Sequence, residues 1–156
     1  MRTHRYAVRT VWTGDRGEGT ATYRGYARDH VISATGKEDI AASSDPAFLG
    51  DPARWNPEEL LVASLSGCHQ LWYLALCAEA GVVVVAYEDA AEGEMLEEAG
   101  GAGQFVSVTL RPRVTIAAGG DANVAMALHE KAHAMCFIAR SVAFPVGCEA
   151  EVVLAE

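Results

Sequence analysis

Asn56-Pro57-Glu58-Glu59-Leu60-Leu61-Val62-Ala63-Ser64-Leu65-Ser66-Gly67-Cys68-His69-Gln70-Leu71-Trp72 opens the segment on which the fold turns. Asn56 is a good N-cap, Pro57 suits the first helical position, and Glu58 and Glu59 favour the positive end of a helix dipole. The spacing predicts a helix running to about Ala80, with Gly81 as its C-cap. No formal charge lies between Glu59 and Glu79, a run long enough to raise the question of a membrane span. Ser64, Ser66, Gly67, His69 and Gln70 in its middle, and acidic rather than basic flanks, argue against one. A helix apolar on nearly all sides must be buried on nearly all sides. A chain of 156 residues barely supplies that cover, so a partner subunit is expected to complete it.

Upstream of this helix, apolar and polar residues alternate over 6–11, and the turn glycines of Trp12-Thr-Gly-Asp-Arg-Gly-Glu-Gly19 precede a second strand-like run over 20–26. Residues 30–34 form a third short strand before the polar turn at 36–39, and 41–55 read as loop. Downstream, the β-branched run 82–87 and the alternating run 105–116 predict two strands, joined by a glycine-rich acidic connection over 93–103. A second helix is expected from Asn123 to about Val142, capped by Asp121 or Asn123, and a closing strand over 148–154. The order β-β-β-α-β-β-α-β predicts one α+β domain over residues 1–156, with antiparallel sheets packed on two central helices.

Composition narrows the function classes. Lys and Arg number 12 against 21 Asp and Glu, a net charge of −9, which repels phosphate backbones and anionic lipid heads. Nucleic acid and membrane are therefore not expected partners. Residues 1–10 carry three arginines and a histidine with no apolar stretch behind them, so a cytoplasmic location is expected. The four cysteines, Cys68, Cys77, Cys136 and Cys148, include no C-x-x-C pair, so a zinc ribbon and a thioredoxin-type motif are both absent. Any thiol chemistry must join cysteines distant in sequence.

Two places carry the chemistry. On the second helix His129, His133, Cys136 and Arg140 are spaced to share one stripe. On the first, Cys68 stands beside His69. Cys77 and Cys148 lack polar neighbours and read as core thiols. A metal- or small-ligand-binding protein using Cys68, His69, His133 and Cys136 is one reading, since thiolates and imidazoles suit zinc.

Asn56-Pro57-Glu58-Glu59-Leu60, Ser66-Gly67-Cys68 and Cys136-Phe-Ile-Ala-Arg-Ser141 resemble the OsmC/Ohr family of thiol peroxidases, over nearly the whole chain. The resemblance implies an OsmC-like swapped homodimer. It also implies an enzyme that reduces organic hydroperoxides to alcohols and is re-reduced by small or lipoyl-bound dithiols, with no cofactor or metal. Cys68 would be the peroxidatic cysteine, Cys136 the resolving one, and Glu58 the carboxylate that orients an activating arginine. Strand alternation groups Arg28 with Tyr26 and His30 on one polar face and makes it the first choice for that arginine. Arg16 and Arg54 are the alternatives. Leu65, Leu71 and Trp72 are expected to line an entrance suited to a bulky organic peroxide.

Overall fold

The computed structural model describes residues 1–156, which divide into two compact units, Met1–Leu60 and Leu61–Glu156. In the first, β1 (Arg9–Trp12), β2 (His30–Ser33) and β3 (Ile40–Ala42) form an antiparallel meander in that order. The expected strand over 20–26 is not formed. Asp15 accepts hydrogen bonds from the amides of Gly17 and Gly19, which hold its carboxyl below the usual carboxylate range. Tight turns at Glu18–Ala21 and Thr22–Gly25 then coil the chain. The third strand instead comes from residues read as the start of a loop, paired to β2 by the backbone. All four β1 residues are exposed, so this sheet has little core of its own. Gly14 is required where it stands: a Cβ there would lie 1.9 Å from the Ala27 carbonyl oxygen.

Helix α1 (Pro57–Glu79) runs without a break, as expected. Its start is a reciprocal capping box: the Asn56 side chain accepts from the Glu59 amide at 2.8 Å, and Glu59 accepts from the Asn56 amide at 3.3 Å. Its end is a Schellman motif. Gly81 sits at φ 75°, with Gly81 N–H bonded to the Ala78 carbonyl and Val82 N–H to the Cys77 carbonyl.

The second unit carries more strands than expected. The run 105–116 is divided into β6 (Gly103–Leu110) and β7 (Pro112–Ile116), which enter different sheets. Pro112 has no amide to continue a ladder, and the Arg111 amide turns aside to Asp89 Oδ1 at 2.7 Å. The acidic connection is also a strand: β5 (Glu92–Glu97) pairs antiparallel with β6. Every β5 residue is exposed, so no hydrophobic alternation betrays it. The closing strand is likewise two, β8 (Val146–Cys148) and β9 (Glu151–Leu154). These lie parallel to β6 and β7 respectively, so the sheets β5-β6-β8 and β4-β7-β9, where β4 is Val84–Asp89, are mixed rather than antiparallel.

Helix α2 (Ala122–Met135) starts on Asp121, whose carboxylate accepts from the amides of Asn123 and Val124. It stops seven residues short of the expected end. Cys136 is its C-cap, and a 3₁₀ turn at Ala139–Ser141 follows. Two cores result. Leu65 of α1 packs with Val108 and Leu110 of β6. Tyr73, Leu76 and Cys77 pack with Val114 and Ile116 of β7 and Ala125 and Ala132 of α2. The chain is thus α+β, with sheets set on two helices. α1 is long and apolar enough to cross a membrane by length and composition, but its buried side chains face these sheets and α2.

Candidate active site

Cys68 is half-buried on α1, and Cys136 is fully buried at the end of α2; both are free thiols. Burial pushes the Cys136 thiol up, and the neighbouring Cys68 thiol pushes it the same way. The Ala139 amide opposes this by donating to Cys136 Sγ at 3.4 Å. The early end of α2 creates that donor, because the 3₁₀ turn folds back over the sulfur. Arg140 therefore leaves the helical stripe, and its guanidinium donates to the Ala134 carbonyl instead.

Ser66, two residues before Cys68, fixes this part of α1 to the sheets. Its hydroxyl donates to Asp89 Oδ2 at 2.5 Å, while Oδ1 of the same carboxylate holds the Arg111 amide. The apolar surroundings differ from expectation in one residue. Leu65 is wholly buried in the core and cannot line an entrance. Trp72 packs edge-on against Phe137, ring centroids 5.5 Å apart, and Leu71 and Phe137 are 69% and 67% exposed.

Glu58 is half-buried in the first turn of α1, and ten residues of unbroken helix, about 15 Å of rise, separate it from Cys68. Arg28 donates to the carbonyls of Tyr23 and Tyr26 at 2.6 Å each, and its guanidinium lies 4.5 and 4.0 Å from their ring centroids. The Arg28, Tyr26 and His30 cluster exists, with the Arg28 carbonyl 3.0 Å from His30 Nδ1, but a turn builds it and not strand alternation. Arg54 pairs with Asp29 at 3.4 Å and Asp51 at 3.9 Å, and Arg16 is exposed. Within the second unit, Arg111 is engaged by Glu92 and Glu149, Arg113 by Glu151, and Arg140 by a carbonyl.

The set Cys68, His69, His133 and Cys136 is not assembled. His69, one position on from Cys68, projects about 100° away and meets His129, Nε2 to Nδ1, at 3.0 Å. Cys148 joins them, its Sγ 3.9 Å from His69 Nε2. Cys148 is therefore not a core thiol, whereas Cys77 is. His133 is exposed and helps line an adjoining cavity of about 300 Å³. Sequence spacing could not find the His69–His129–Cys148 cluster, because its members come from α1, α2 and β8.

The fold and the facing thiols define a class: this chain belongs to the OsmC-like protein family, whose family model matches residues 50–151. An OsmC-like protein of unknown function from Vibrio cholerae O1 biovar eltor shares 30% identity, with 97% of this chain and all of that one covered and a TM-score of 0.84. Organic hydroperoxide resistance proteins share the fold at lower identity. That of Elizabethkingia anophelis has 18% identity, coverage of 99% and 100%, and a TM-score of 0.68. That of Legionella pneumophila has 17% identity, coverage of 96% and 98%, and a TM-score of 0.67. No curated protein matches the chain.

Proposed function

We propose that this protein is a cysteine-based peroxidase that reduces organic hydroperoxides to alcohols. The observation that carries the reading is the pairing of a half-buried free thiol, Cys68, with a buried one, Cys136, on separate helices. The Cys68 thiolate attacks the outer peroxide oxygen and the O–O bond breaks. The leaving alkoxide takes a proton to become the alcohol, and Cys68 is left as a sulfenic acid. The Cys136 thiol displaces water from that sulfenic acid to form a disulfide, which a dithiol donor returns to two thiols by exchange. Leu71, Trp72 and Phe137 give the approach an apolar character that favours an organic substrate over hydrogen peroxide.

A nearby guanidinium would raise the thiolate fraction of a thiol whose ordinary pKa is about 8.5. We assign this role to Arg28, which shares a polar cluster with Tyr26 and His30, with Glu58 orienting it. A homodimer is part of the reading for two reasons. Leu71 is exposed on α1, and a Cβ at Gly67 would meet nothing in this chain. The β1 strand is exposed along its length. The cytoplasm, with its dithiol reductants, suits this chemistry. The test is turnover of an alkyl hydroperoxide against hydrogen peroxide with a dithiol donor. Faster reduction of the organic substrate is expected, and equal or faster turnover of hydrogen peroxide overturns the assignment.

A further inference from the structure

Beside the paired thiols lies a second cluster that the peroxidase reading does not use. His69 and His129 are 1% and 5% exposed, their planes are 1° apart and their centroids 5.3 Å. As a purely structural pair this is a poor arrangement. Four ring nitrogens make one hydrogen bond with each other, and His69 Nδ1 and His129 Nε2 are buried without any partner. Those two nitrogens are not the ones that face each other, and with a cation on the facing pair they would carry the ring protons.

We propose that His69, His129 and Cys148 form a binding site for a zinc-type divalent cation. Zn–N bonds of about 2.0–2.1 Å and Zn–S bonds of about 2.3 Å set tetrahedral edges of ~3.3 Å between nitrogens and ~3.5 Å from nitrogen to sulfur. The observed separations are 3.0 Å for His69 Nε2 to His129 Nδ1 and 3.9 Å for His69 Nε2 to Cys148 Sγ. All three ligand atoms lie within 4.8 Å of one another. These two edges lie within a few tenths of an ångström of the tetrahedral values, and the third is at most 4.8 Å. A cation would replace the proton now shared by the two imidazoles, with the rings tilting toward it as the nitrogens separate.

Of the three donors the two imidazoles are ready to ligate, whereas burial and the Asp89 charge push the Cys148 thiol up to about 11. Desolvation holds His129 down to about 4 and lowers His69, so both imidazoles are neutral and keep a lone pair at pH 7. Cys148 must lose its proton on binding, which a divalent cation drives. The cavity of about 300 Å³ lined by His129, Glu130, His133 and Cys148 reaches the cluster, giving the ion a path in and leaving its fourth position open to water or a small ligand.

This site is independent of the Cys68–Cys136 reading, and its test uses the full chain stripped with chelator and reduced. Titration with Co²⁺ should give one equivalent bound per chain with a thiolate-to-cobalt charge-transfer absorption. That absorption should survive in Cys68→Ser and Cys136→Ser but vanish in Cys148→Ser, whose Zn²⁺ affinity should fall by about 100-fold or more. On the unmodified chain, saturating Zn²⁺ should slow alkylation of Cys148 at least about tenfold, read by mass spectrometry, and leave Cys68 unprotected. A charge-transfer band that persists in Cys148→Ser, or alkylation of Cys148 at one rate with and without Zn²⁺, overturns the proposal.

Discussion

Cys68 and His69 are consecutive on α1, yet one meets the Cys136 thiol and the other lies 3.0 Å from His129. One helical step, about 100°, separates the two clusters. Two elements receive these side chains: Cys136 ends α2, His129 lies about two turns before it, and Cys148 ends β8. A change at one cluster should therefore leave the other standing.

Cys68→Ser should abolish hydroperoxide turnover, whereas Cys136→Ser should allow at most a brief burst before Cys68 overoxidises. Without a resolving thiol the sulfenic acid persists and meets a second peroxide. Mass spectrometry of peroxide-treated wild type should find a Cys68–Cys136 disulfide. A Cys68–Cys77 bridge in its place would sink the assignment.

Because α1 is unbroken, a carboxylate about 15 Å along its axis cannot serve the thiol of the same helix. Glu58 is expected to act from the partner subunit. Co-expression of Cys68→Ser and Glu58→Ala chains should give heterodimers with one complete site and about half of wild-type activity. A monomer at micromolar concentration, or inactive verified heterodimers, counts against this arrangement.

Arg28→Ala should lower kcat/KM for an alkyl hydroperoxide by about 100-fold, the usual loss when one preorganised donor to a developing charge is removed. It should also slow alkylation of Cys68 near pH 7. Arg54→Ala should cost at most about 1 kcal/mol of stability, because its ion pairs with Asp29 and Asp51 are partly exposed. If Arg54→Ala removes the activity and Arg28→Ala does not, the role passes to Arg54.

Burial pushes the phenols of Tyr73 and Tyr87 above their ordinary value near 10. The unfolded chain then loses these protons first, so the contribution is complete below about pH 10 and is lost as pH rises through the folded values. Tyr73→Phe removes the 2.9 Å hydrogen bond to the Ala125 carbonyl and should cost about 1 kcal/mol at pH 7. Urea midpoints at pH 7 and pH 11 should show that deficit shrinking at the higher pH. A deficit that stays constant would contradict the sign.

The legible parts were those whose signals are local. Asn56, Pro57 and Glu59 announced the helix start, and Gly81 announced its stop, because their signals involve backbone groups only a few residues away. Strand β5 was hidden for the opposite reason: all its residues face solvent, and only its ladder with β6 makes it a strand. Residues 20–26 carried strand-like alternation, but the carboxylate of Asp15 and the turns at Glu18 and Thr22 outbid it. Nor could spacing show that α2 ends at Cys136.

Sequence alone determined an acidic chain organised around one nearly charge-free helix, and it singled out Cys68 and Cys136 through their family motif. Those features reside in composition and in neighbours along the chain. Tertiary structure decided which groups meet. It set Cys136 at a helix end beneath the Ala139 amide, tied Arg28 to Tyr23 and Tyr26, and drew Cys148 out of its apparent core role to His69. The Cys148–His69 contact joins residues 79 positions apart, and the shorter-range ones depend on where a helix stops and how a turn closes, quantities set by packing and not by local preference.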